Sequence, residues 1–266
     1  MSMKQEVRIK DQRHQLILQE LTKEGKVYVS QMAQEFGLTP ETLRRDLSEL
    51  EAGGLLERVH GGAVSKPAPL ELAFEKKKQV NQAEKQAVAQ AAAQLVQSGM
   101  TLAVDYGTST MYIADYLKDI TNLTIVTNSL AAALHFNKAI EEDRVQGQVI
   151  ILPGVTNPYQ LAIKGSYTIE FLANFSFDLN CMSCGGLSAS GVYDYDMEES
   201  HVSRQMAQAS QEVVLVADHS KLGKKLMVEI CPIKQVDLIL CDCPKPAGWD
   251  LSDTCWQTVS GLGVEL

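Results

Sequence analysis

The sequence predicts an α/β protein, in which a small α+β domain precedes a larger domain built on a mostly parallel sheet. Two observations carry this prediction. Residues 1–64 predict three helices and a hairpin, and from residue 82 onward continuous apolar strands alternate with helices. The 266 residues, 45% of them hydrophobic, suffice for two separate cores. We expect the first domain at residues 1–64, a linker at 65–80 and the second domain at 81–266.

Composition argues against a membrane protein and favours the cytoplasm. No run of about 18 apolar residues occurs in the sequence. The polar first residues do not form the core of a signal peptide. The six cysteines all follow residue 180, and we expect them to be free thiols in a reducing compartment.

Two cysteine pairs have short spacings of the kind that metal sites use, Cys181-x-x-Cys184 and Cys241-x-Cys243. The first pair falls in an apolar, strand-like run, and no histidine pair with zinc-site spacing accompanies either one. We therefore expect no metal and no cofactor.

The charge is divided unevenly along the chain. Residues 1–66 hold ten Lys/Arg and ten Asp/Glu, so the net charge of −9 lies entirely in the remainder. An acidic protein is not steered to DNA by its overall field. If the chain binds DNA, a local basic face of the first domain must do so, and the non-specific affinity should be modest.

The first helix is predicted over Lys10–Glu24 and ends at Gly25, a residue typical of helix C-termini. A short extended segment follows. Ser30 is then expected to cap a second helix, which Gly37 closes. Two helices and a tight glycine turn before a third helix are typical of a helix-turn-helix.

The third helix is predicted to begin at Pro40, with the Thr39 hydroxyl as its N-terminal cap. Leu43, Leu47 and Leu50 have helical spacing and form one apolar face. Thr42, Arg44 and Arg45 lie off that face, near the N-terminal end, as in a DNA recognition helix. Taken alone, a surface helix with two solvated arginines explains this pattern equally well.

A hairpin follows this helix and decides between the two interpretations. A strand is predicted over residues 55–59, a tight turn at His60-Gly61-Gly62, and a return strand from Ala63. A hairpin directly after a recognition helix is a wing. Arg58 and His60 near its tip are placed to reach a phosphate or the minor groove.

Residues 8–64 resemble the winged helix of the DeoR family of bacterial transcriptional regulators. The segments that carry the resemblance are Gly25-Lys26-Val27, Thr42-Leu43-Arg44-Arg45-Asp46-Leu47, Gly54-Leu55-Leu56 and Arg58-Val59-His60-Gly61-Gly62-Ala63. The resemblance implies a double-stranded DNA operator as partner. The predicted DNA-contacting residues are Thr39, Glu41, Thr42, Arg44, Arg45, Arg58 and His60.

The second domain begins after two prolines and the lysine triplet Lys76-Lys77-Lys78, which predict a solvated linker. Contact of the triplet with DNA phosphates stays open as an alternative. The predicted helices cover residues 82–97, 109–117, 129–136, 167–173 and 203–209. The predicted strands cover residues 101–104, 123–126, 148–152, 179–183, 213–217 and 236–241.

Polar residues follow most of these strands, at the edge where parallel sheets bind ligands. The strand-end segments are Asp105–Thr110, Thr127–Ser129, Pro153-Gly154, Gly185-Gly186 and Asp218–Lys221. Single loops of this kind are common as ordinary helix caps. Five at one edge favour a pocket for a polyol phosphate, because backbone N–H groups and hydroxyls at helix starts bind phosphate.

These loops also resemble the effector domain of the DeoR family, which is similar to ribose-5-phosphate isomerase and related sugar-phosphate folds. The resemblance implies a phosphorylated sugar or glycolytic intermediate as effector, with Lys221 and the Gly107–Thr110 loop contacting its phosphate. The predicted effector-binding residues are Asp105, Gly107, Thr108, Ser109, Thr110, Asn128, Gly154, Lys164, Asp178 and Lys221.

Three functions remain open at this point. The favoured one is a sequence-specific regulator, a repressor of a sugar catabolic operon that binds as a homodimer or homotetramer. The second is a sugar-phosphate isomerase with a helical appendage, using Asp178 and Lys221 as acid and base. The acidic run at residues 194–199 adds carboxylates, although we expect a solvated loop there. The third is a scaffold whose winged helix binds protein.

Overall fold

The first unit, which ends at residue 71, combines three helices with a small antiparallel sheet. The computed structural model describes residues 10–52, 56–64, 71–251 and 256–259 of the chain. The elements of this unit are α1 (Lys10–Glu24), β1 (Lys26–Tyr28), α2 (Val29–Phe36), α3 (Pro40–Ala52), β2 (Glu57–Val59) and β3 (Gly62–Val64). The predicted first helix and the order of helices and hairpin are confirmed.

The core of the first unit is formed by one apolar face from each helix. Ile17, Met32, Leu43 and Leu47 are all at most 2% exposed, and Leu56 from the hairpin side joins them. Strand β3 lies between β1 and β2, so the hairpin packs as a wing beside α3. The part of the predicted wing strand at Leu55 lies outside the described residues.

The predicted cap of the second helix is wrong. Helix α2 begins at Val29, one residue before Ser30, and its N-cap residue Tyr28 makes no side-chain cap hydrogen bond. Instead, the Val29 N–H donates to the Gly61 carbonyl in the wing turn at 2.9 Å. Val29 is buried in the core, so its side chain and the turn together fix where the helix starts.

The second unit, from residue 72 onward, is an α/β domain. Its helices are α4 (Phe74–Gln79), α5 (Gln82–Ala93), α6 (Ile113–Tyr116), α7 (Leu130–Glu141), α8 (Ser166–Leu172) and α9 (Met197–Gln208). Its strands are β4 (Thr101–Val104), β5 (Ile120–Thr127), β6 (Val145–Ile151), β7 (Val155–Asn157), β8 (Ala162–Lys164), β9 (Phe177–Met182), β10 (Gly186–Ser188), β11 (Gly191–Asp194), β12 (Ser210–Ala217), β13 (Val228–Pro232), β14 (Leu238–Cys241) and β15 (Trp256–Thr258).

Seven of these strands form one sheet in the order β15-β14-β12-β9-β4-β5-β6, and every neighbouring pair is parallel. Helices α5 and α7 cover one face through Val88, Ala92 and Phe136, while α9 covers the other through Val202 and Met206. Helices on both faces explain why the strands are apolar along their length. The predicted α/β fold class is confirmed.

Three features of the second unit differ from the prediction. Residues 74–79 of the predicted linker form α4, because Phe74 is 3% exposed in the main core of this unit. The predicted helix after β4 begins as a 3₁₀ turn over Thr110–Tyr112. An antiparallel sheet, β10-β11-β13, and a hairpin, β7-β8, were not predicted. Among the described residues, every helix is too short or too polar to span a bilayer.

Candidate functional site

The N-terminal end of α3 has the geometry that its sequence predicts. The Thr42 N–H donates to the Thr39 hydroxyl at 3.3 Å, which caps the helix, and the two threonine hydroxyls lie 2.9 Å apart. Leu43 and Leu47 are fully buried on the opposite face. The cap and the apolar face together hold Thr42, Arg44 and Arg45 on the outer side of the helix.

A buried ion pair fixes α3 against α1. The Arg13 guanidinium donates from Nε to Asp46 Oδ2 at 2.5 Å and from Nη2 to Asp46 Oδ1 at 2.7 Å. Both residues are less than 9% exposed. Hydrogen bonding to Asp46 raises the pKa of Arg13 further. Two parallel bonds of this kind set both the distance and the angle between two helices.

The two predicted DNA-contacting arginines of α3 lie at the surface, each beside a carboxylate. The Arg44 guanidinium is 2.8 Å from Glu41, and its side chain is 53% exposed. The Arg45 side chain is 82% exposed and lies 3.6 Å from Glu49. Exposed pairs of this kind are worth about 0–1 kcal/mol, so phosphates can replace the carboxylates at little cost.

The wing places the remaining predicted DNA contacts beside α3. The Arg58 N–H donates to Glu51 at 2.9 Å, and its guanidinium donates to the Ser48 hydroxyl at 2.8 Å. His60 is exposed in the turn that leads to Gly61, whose φ of 81° favours glycine. The later acidic residues of α3 have different partners. Glu49 lies beside Arg45, whereas Asp46 pairs with Arg13 and Glu51 binds the wing backbone.

In the second unit, the loop after β4 is organised by its first residue. Asp105, which is 1% exposed, accepts from the Gly107 N–H at 3.1 Å, from the Thr110 hydroxyl at 2.9 Å and from the Ser183 N–H at 2.8 Å. Burial raises the pKa of the Asp105 carboxyl, and these donors oppose the rise. Asp105 and Thr110 are thus used within the loop.

The loops after β4 and β9 pack closely at Gly107. A Cβ atom on Gly107 would lie 2.0 Å from the Ser183 hydroxyl, so only glycine fits. Thr108 and Ser109, the next two residues, are nearly buried. Among the described residues, neither of their hydroxyls has a hydrogen-bond partner. These hydroxyls are open donors at the carboxyl edge of the sheet.

Three lysines meet at the same edge. Lys85 of α5 is 2% exposed, and its Nζ donates to the Lys77 carbonyl. The pKa of Lys85 is lowered to about 8, chiefly by burial; Asp218 opposes this change, and the charges of Lys221 and Lys77 add to it. The Lys221 ammonium has no hydrogen bond or ion pair to the described residues. A buried cation beside two others is an anion-binding arrangement.

Asp218 lies close enough to Lys85 and Lys221 to interact with both electrostatically. Asp218 accepts from the Asn81 amide at 2.8 Å and from the Ser220 N–H at 2.9 Å. Burial opposes the charge of Asp218, but its hydrogen bonds to Ser220 and the nearby Lys221 lower its pKa overall. The Lys77 ammonium lies 5.9 Å from the centre of the Tyr106 ring.

A second group of predicted residues surrounds the β7-β8 hairpin. The Asn128 amide nitrogen donates to the Ile163 carbonyl at 3.2 Å, while its buried Oδ1 has no hydrogen-bond partner among the described residues. Gly154 lies close enough to the Lys164 carbonyl and Thr168 that a Cβ atom would be within 2.6 Å of both. The Lys164 ammonium is 2.7 Å from Asp196. Burial disfavours the charged form of Lys164, but its carboxylate partners, Asp196 first among them, together raise the pKa of Lys164 overall.

Asp178 does not belong to this edge, so its assignment as an effector-binding residue is wrong. It is the second residue of β9 and accepts from the Thr101 N–H at 2.7 Å, at the amino ends of β9 and β4. Parallel strands place these ends on the opposite side of the sheet from Lys221. Asp178 pins the start of β4, and it cannot be the base that the isomerase alternative requires.

The acidic run at residues 194–199 is not a solvated loop. Asp194 is 5% exposed at the end of β11, where it accepts from the Tyr106 hydroxyl at 3.0 Å. Glu199 is fully buried and accepts from the Asn157 amide at 2.7 Å. Asp196 caps α9 by accepting from the Glu199 N–H. Asp194 and Asp196 are structural because backbone and side-chain donors contact both oxygens of each.

Lys77 and Lys85 are site residues that the sequence prediction missed. Lys77 was assigned to a linker and Lys85 to a helix without a role. A signal for Lys85 is present in the sequence, because it lies three, four and seven residues before Val88, Ala89 and Ala92. That spacing places a lysine on the apolar face of an alanine-rich helix.

Comparisons with known proteins cover both units. The family model described as the DeoR-like helix-turn-helix domain matches residues 13–67, and the DeoR C terminal sensor domain matches residues 80–243. An uncharacterized HTH-type transcriptional regulator of Staphylococcus epidermidis is 42% identical over 80% of this chain and 84% of its own length. The glycerol-3-phosphate regulon repressor of Escherichia coli is 31% identical over 88% of this chain and 92% of its own.

A solved structure matches part of the chain. Ribose 5-phosphate isomerase A from Neisseria gonorrhoeae has a TM-score of 0.38 and 14% identity, with 53% of each chain covered.

Proposed function

This chain belongs to the DeoR family of helix-turn-helix transcriptional regulators, and we propose that it is a repressor of a sugar catabolic operon that a phosphorylated sugar releases from DNA. Membership of this family makes the chain a regulator and not an isomerase. The observation that carries the effector half of the proposal is the cluster of Lys77, Lys85 and Lys221 at the carboxyl edge of the sheet.

The DNA-binding half rests on the outer side of α3 and on the wing. Thr42, Arg44 and Arg45 read base edges, and Thr39 and Glu41 lie in the first turn beside them. Arg58 and His60 of the wing contact the backbone or the minor groove. The Arg13–Asp46 pair supports this assignment, because a helix that reads bases must keep one orientation on the domain.

The test of this half is an operator titration with a matched control. A DNA fragment from the promoter region upstream of the protein's own gene is titrated with wild type, Arg45→Ala and Lys138→Ala. Arg45 and Lys138 both form exposed pairs with a carboxylate four residues later, at 3.6 and 3.7 Å. Loss of a base contact in Arg45→Ala should weaken binding about 5- to 150-fold, which corresponds to about 1–3 kcal/mol. Lys138→Ala should bind as wild type does.

Equal affinity of wild type and Arg45→Ala would contradict the recognition-helix assignment. Salt dependence separates this proposal from a scaffold whose winged helix binds protein. Phosphate contacts predict a steep fall of affinity with salt, by roughly 0.9 in log–log slope for each phosphate contacted. A shallow salt dependence of operator binding would contradict the phosphate contacts assigned to Arg58 and His60.

The effector half rests on donors that the folded domain leaves open. The Thr108 and Ser109 hydroxyls, the backbone after Gly107 and the Lys221 ammonium form a phosphate subsite. Lys85 of α5 completes this subsite. Burial destabilises the charged form of its ammonium, and a bound phosphate stabilises that form again. Asp105 and Thr110 shape the loop, and Asn128, Gly154 and Lys164 line the end that receives the sugar hydroxyls.

A thermal-shift screen of phosphorylated sugars against the same unphosphorylated sugars tests this half. A ligand at 100 times its dissociation constant stabilises the folded protein by about 2.7 kcal/mol. Lys221→Ala should abolish the shift, while Lys118→Ala, an exposed lysine immediately after α6, should preserve it. The same shift for phosphorylated and unphosphorylated sugars would contradict a phosphate subsite.

Ligand and operator then compete through two states of the protein. A repressor of this kind binds its operator less tightly when the sugar phosphate is bound, and linkage requires the same factor in the reverse direction. The chain acts as a homodimer or homotetramer through its second domain, since helix-turn-helix proteins read two-fold operators as dimers. The proposed DNA-binding domain is residues 1–64, and the second domain begins before residue 81, because α4 at residues 74–79 packs in its core.

A further inference from the structure

Two thiols and a carboxylate meet where β14 ends. Cys241 is the last residue of this strand, and the chain bends at Asp242 and Cys243. The two sulfur atoms are 3.6 Å apart, and Cys241 Sγ lies 3.5 Å from Asp242 Oδ1. All three ligand atoms lie within 4.8 Å of one another. In an extended strand Asp242 would point away from its neighbours, so the bend creates this group.

These distances match those of a tetrahedral zinc site. With Zn–S bonds of about 2.3 Å and a Zn–O bond of about 2.1 Å, tetrahedral geometry requires about 3.8 Å between two sulfur ligands and about 3.6 Å between sulfur and oxygen. The observed separations of 3.6 and 3.5 Å are close to these values. Cys241 therefore already has the spacing to both other ligands that a tetrahedral metal ion requires, and the remaining pair of ligand atoms lies within 4.8 Å.

The surroundings orient the carboxylate and the second cysteine. The His219 N–H donates to Asp242 Oδ1 at 2.6 Å, and His219 Nδ1 is 2.5 Å from Asp242 Oδ2. The Trp256 indole N–H donates to the Cys243 carbonyl at 3.1 Å. Metal ligands in proteins are held by such outer hydrogen bonds, which fix their orientation.

We propose that Cys241, Asp242 and Cys243 bind a thiophilic divalent cation, Zn²⁺, with the fourth position open to water. His219 is a positioning residue that holds the carboxylate. Cys241 is fully buried and Cys243 is half-buried, so the cation enters from the side of Cys243 and Asp242. Two thiolates and one carboxylate are the ligand types that zinc combines in proteins.

The sequence predicted no metal because no histidine pair with zinc-site spacing accompanies the cysteine pairs. The structure brings His219 from a distant segment to Asp242 instead. A disulfide between the two cysteines is the competing interpretation of the pair. The two sulfur atoms are 3.6 Å apart, well beyond the S–S distance of about 2.05 Å in a disulfide, and both thiols are free.

The test uses the full-length reduced protein and Co²⁺ as a spectroscopic substitute for Zn²⁺. Wild type should bind one Co²⁺ per chain with a thiolate-to-metal charge-transfer absorption, and Zn²⁺ should displace it. Cys243→Ala should lose the absorption. Cys231→Ala, a buried thiol in the same apolar cluster but outside the site, should retain it. Circular dichroism before metal addition establishes that both variants fold.

The same absorption in Cys243→Ala and wild type would overturn the proposal. Failure of the reduced wild type to bind Co²⁺ would also overturn the proposal. This holds even if mass spectrometry shows that the two cysteines form a disulfide after exposure to air. His219→Ala should keep the absorption but weaken the affinity about 10- to 100-fold, as expected for loss of an outer hydrogen bond. None of these measurements uses DNA or a sugar phosphate, so their outcome is independent of the proposed regulatory function.

Discussion

Replacement of Lys85 by methionine should stabilise the protein and remove its response to the effector. Lys85 is 2% exposed, and its pKa falls from an ordinary value of 10.5 to about 8. At about pH 7 the ammonium is charged in both the folded and the unfolded chain. The pKa difference then corresponds to about 3 kcal/mol of folding free energy that the buried charge costs.

Methionine has a similar length and no charge, so Lys85→Met removes this cost. The variant also loses the hydrogen bond from the charged ammonium to the Lys77 carbonyl, worth at least about 1.5 kcal/mol. The net gain at about pH 7 is therefore at most about 2 kcal/mol. For a domain of this size that corresponds to a rise in Tm of about 4–8 °C. The same variant should show no thermal shift with a phosphorylated sugar, because the phosphate loses a cationic partner.

The dependence on pH identifies the cause of the gain. Between pH values of about 8 and 10.5 the unfolded chain binds a proton at Lys85 that the folded chain does not, so wild-type stability rises with pH. At about pH 9.5 the cost falls to about 1.4 kcal/mol, and the advantage of methionine nearly vanishes. Scanning calorimetry at the two pH values measures both numbers. Lys118→Met, at an exposed lysine, should change stability by less than about 0.5 kcal/mol at either pH.

An equal gain for Lys85→Met at both pH values, or a loss at both, would refute the assignment of the cost to a buried charge. If Lys85→Met gains the expected stability but still responds to the effector, only the role of Lys85 in the phosphate subsite is refuted. The two halves of the prediction therefore fail separately.

Three further predictions concern single contacts. Asp46→Asn leaves the Arg13 guanidinium buried without its charged partner and should lower the unfolding free energy of the first domain by about 3–5 kcal/mol in urea titrations. Gly107→Ala should weaken effector binding at least about tenfold by calorimetry, because its Cβ would lie 2.0 Å from the Ser183 hydroxyl, and unchanged binding would remove this loop from the site. Arg58→Ala should reduce the log–log salt dependence of operator binding by about 0.9, the loss of one phosphate contact.

Local patterns in the sequence were sufficient to predict a helix or strand wherever its buried residues all pack into a single hydrophobic core. The spacing of Leu43, Leu47 and Leu50 and the hydroxyl of Thr39 fix the position of α3 without further information. The parallel sheet follows in the same way from continuous apolar strands, which only a sheet covered on both faces can bury. Even so, the start of α2 was missed by one residue, because a hydrogen bond from Val29 to the wing turn replaced the expected serine cap.

The site was predicted less completely because its residues come from segments that the sequence separates. Lys85 and Lys221 lie at opposite ends of the second domain's sequence, and only the packing of α5 on the sheet brings them together. Asp178 shows the converse error, since the rule that ligands bind at the carboxyl ends of strands already excluded a residue at the start of β9. The acidic residues at 194–199 were wrongly expected in a solvated loop, because the antiparallel sheet that buries Asp194 was not predicted.

The distribution of charge bears on how such a regulator would find its operator. The net charge of −9 lies outside the winged helix and the start of the linker, which are neutral overall. Long-range attraction to DNA is therefore weak, and the proposed binding mode relies on short-range contacts of Arg44, Arg45 and Arg58. Weak non-specific binding raises the ratio of specific to non-specific affinity, which determines occupancy among many competing sites. The acidic second domain thus favours specificity, and within it the lysine cluster is a local exception that an anionic effector would recognise.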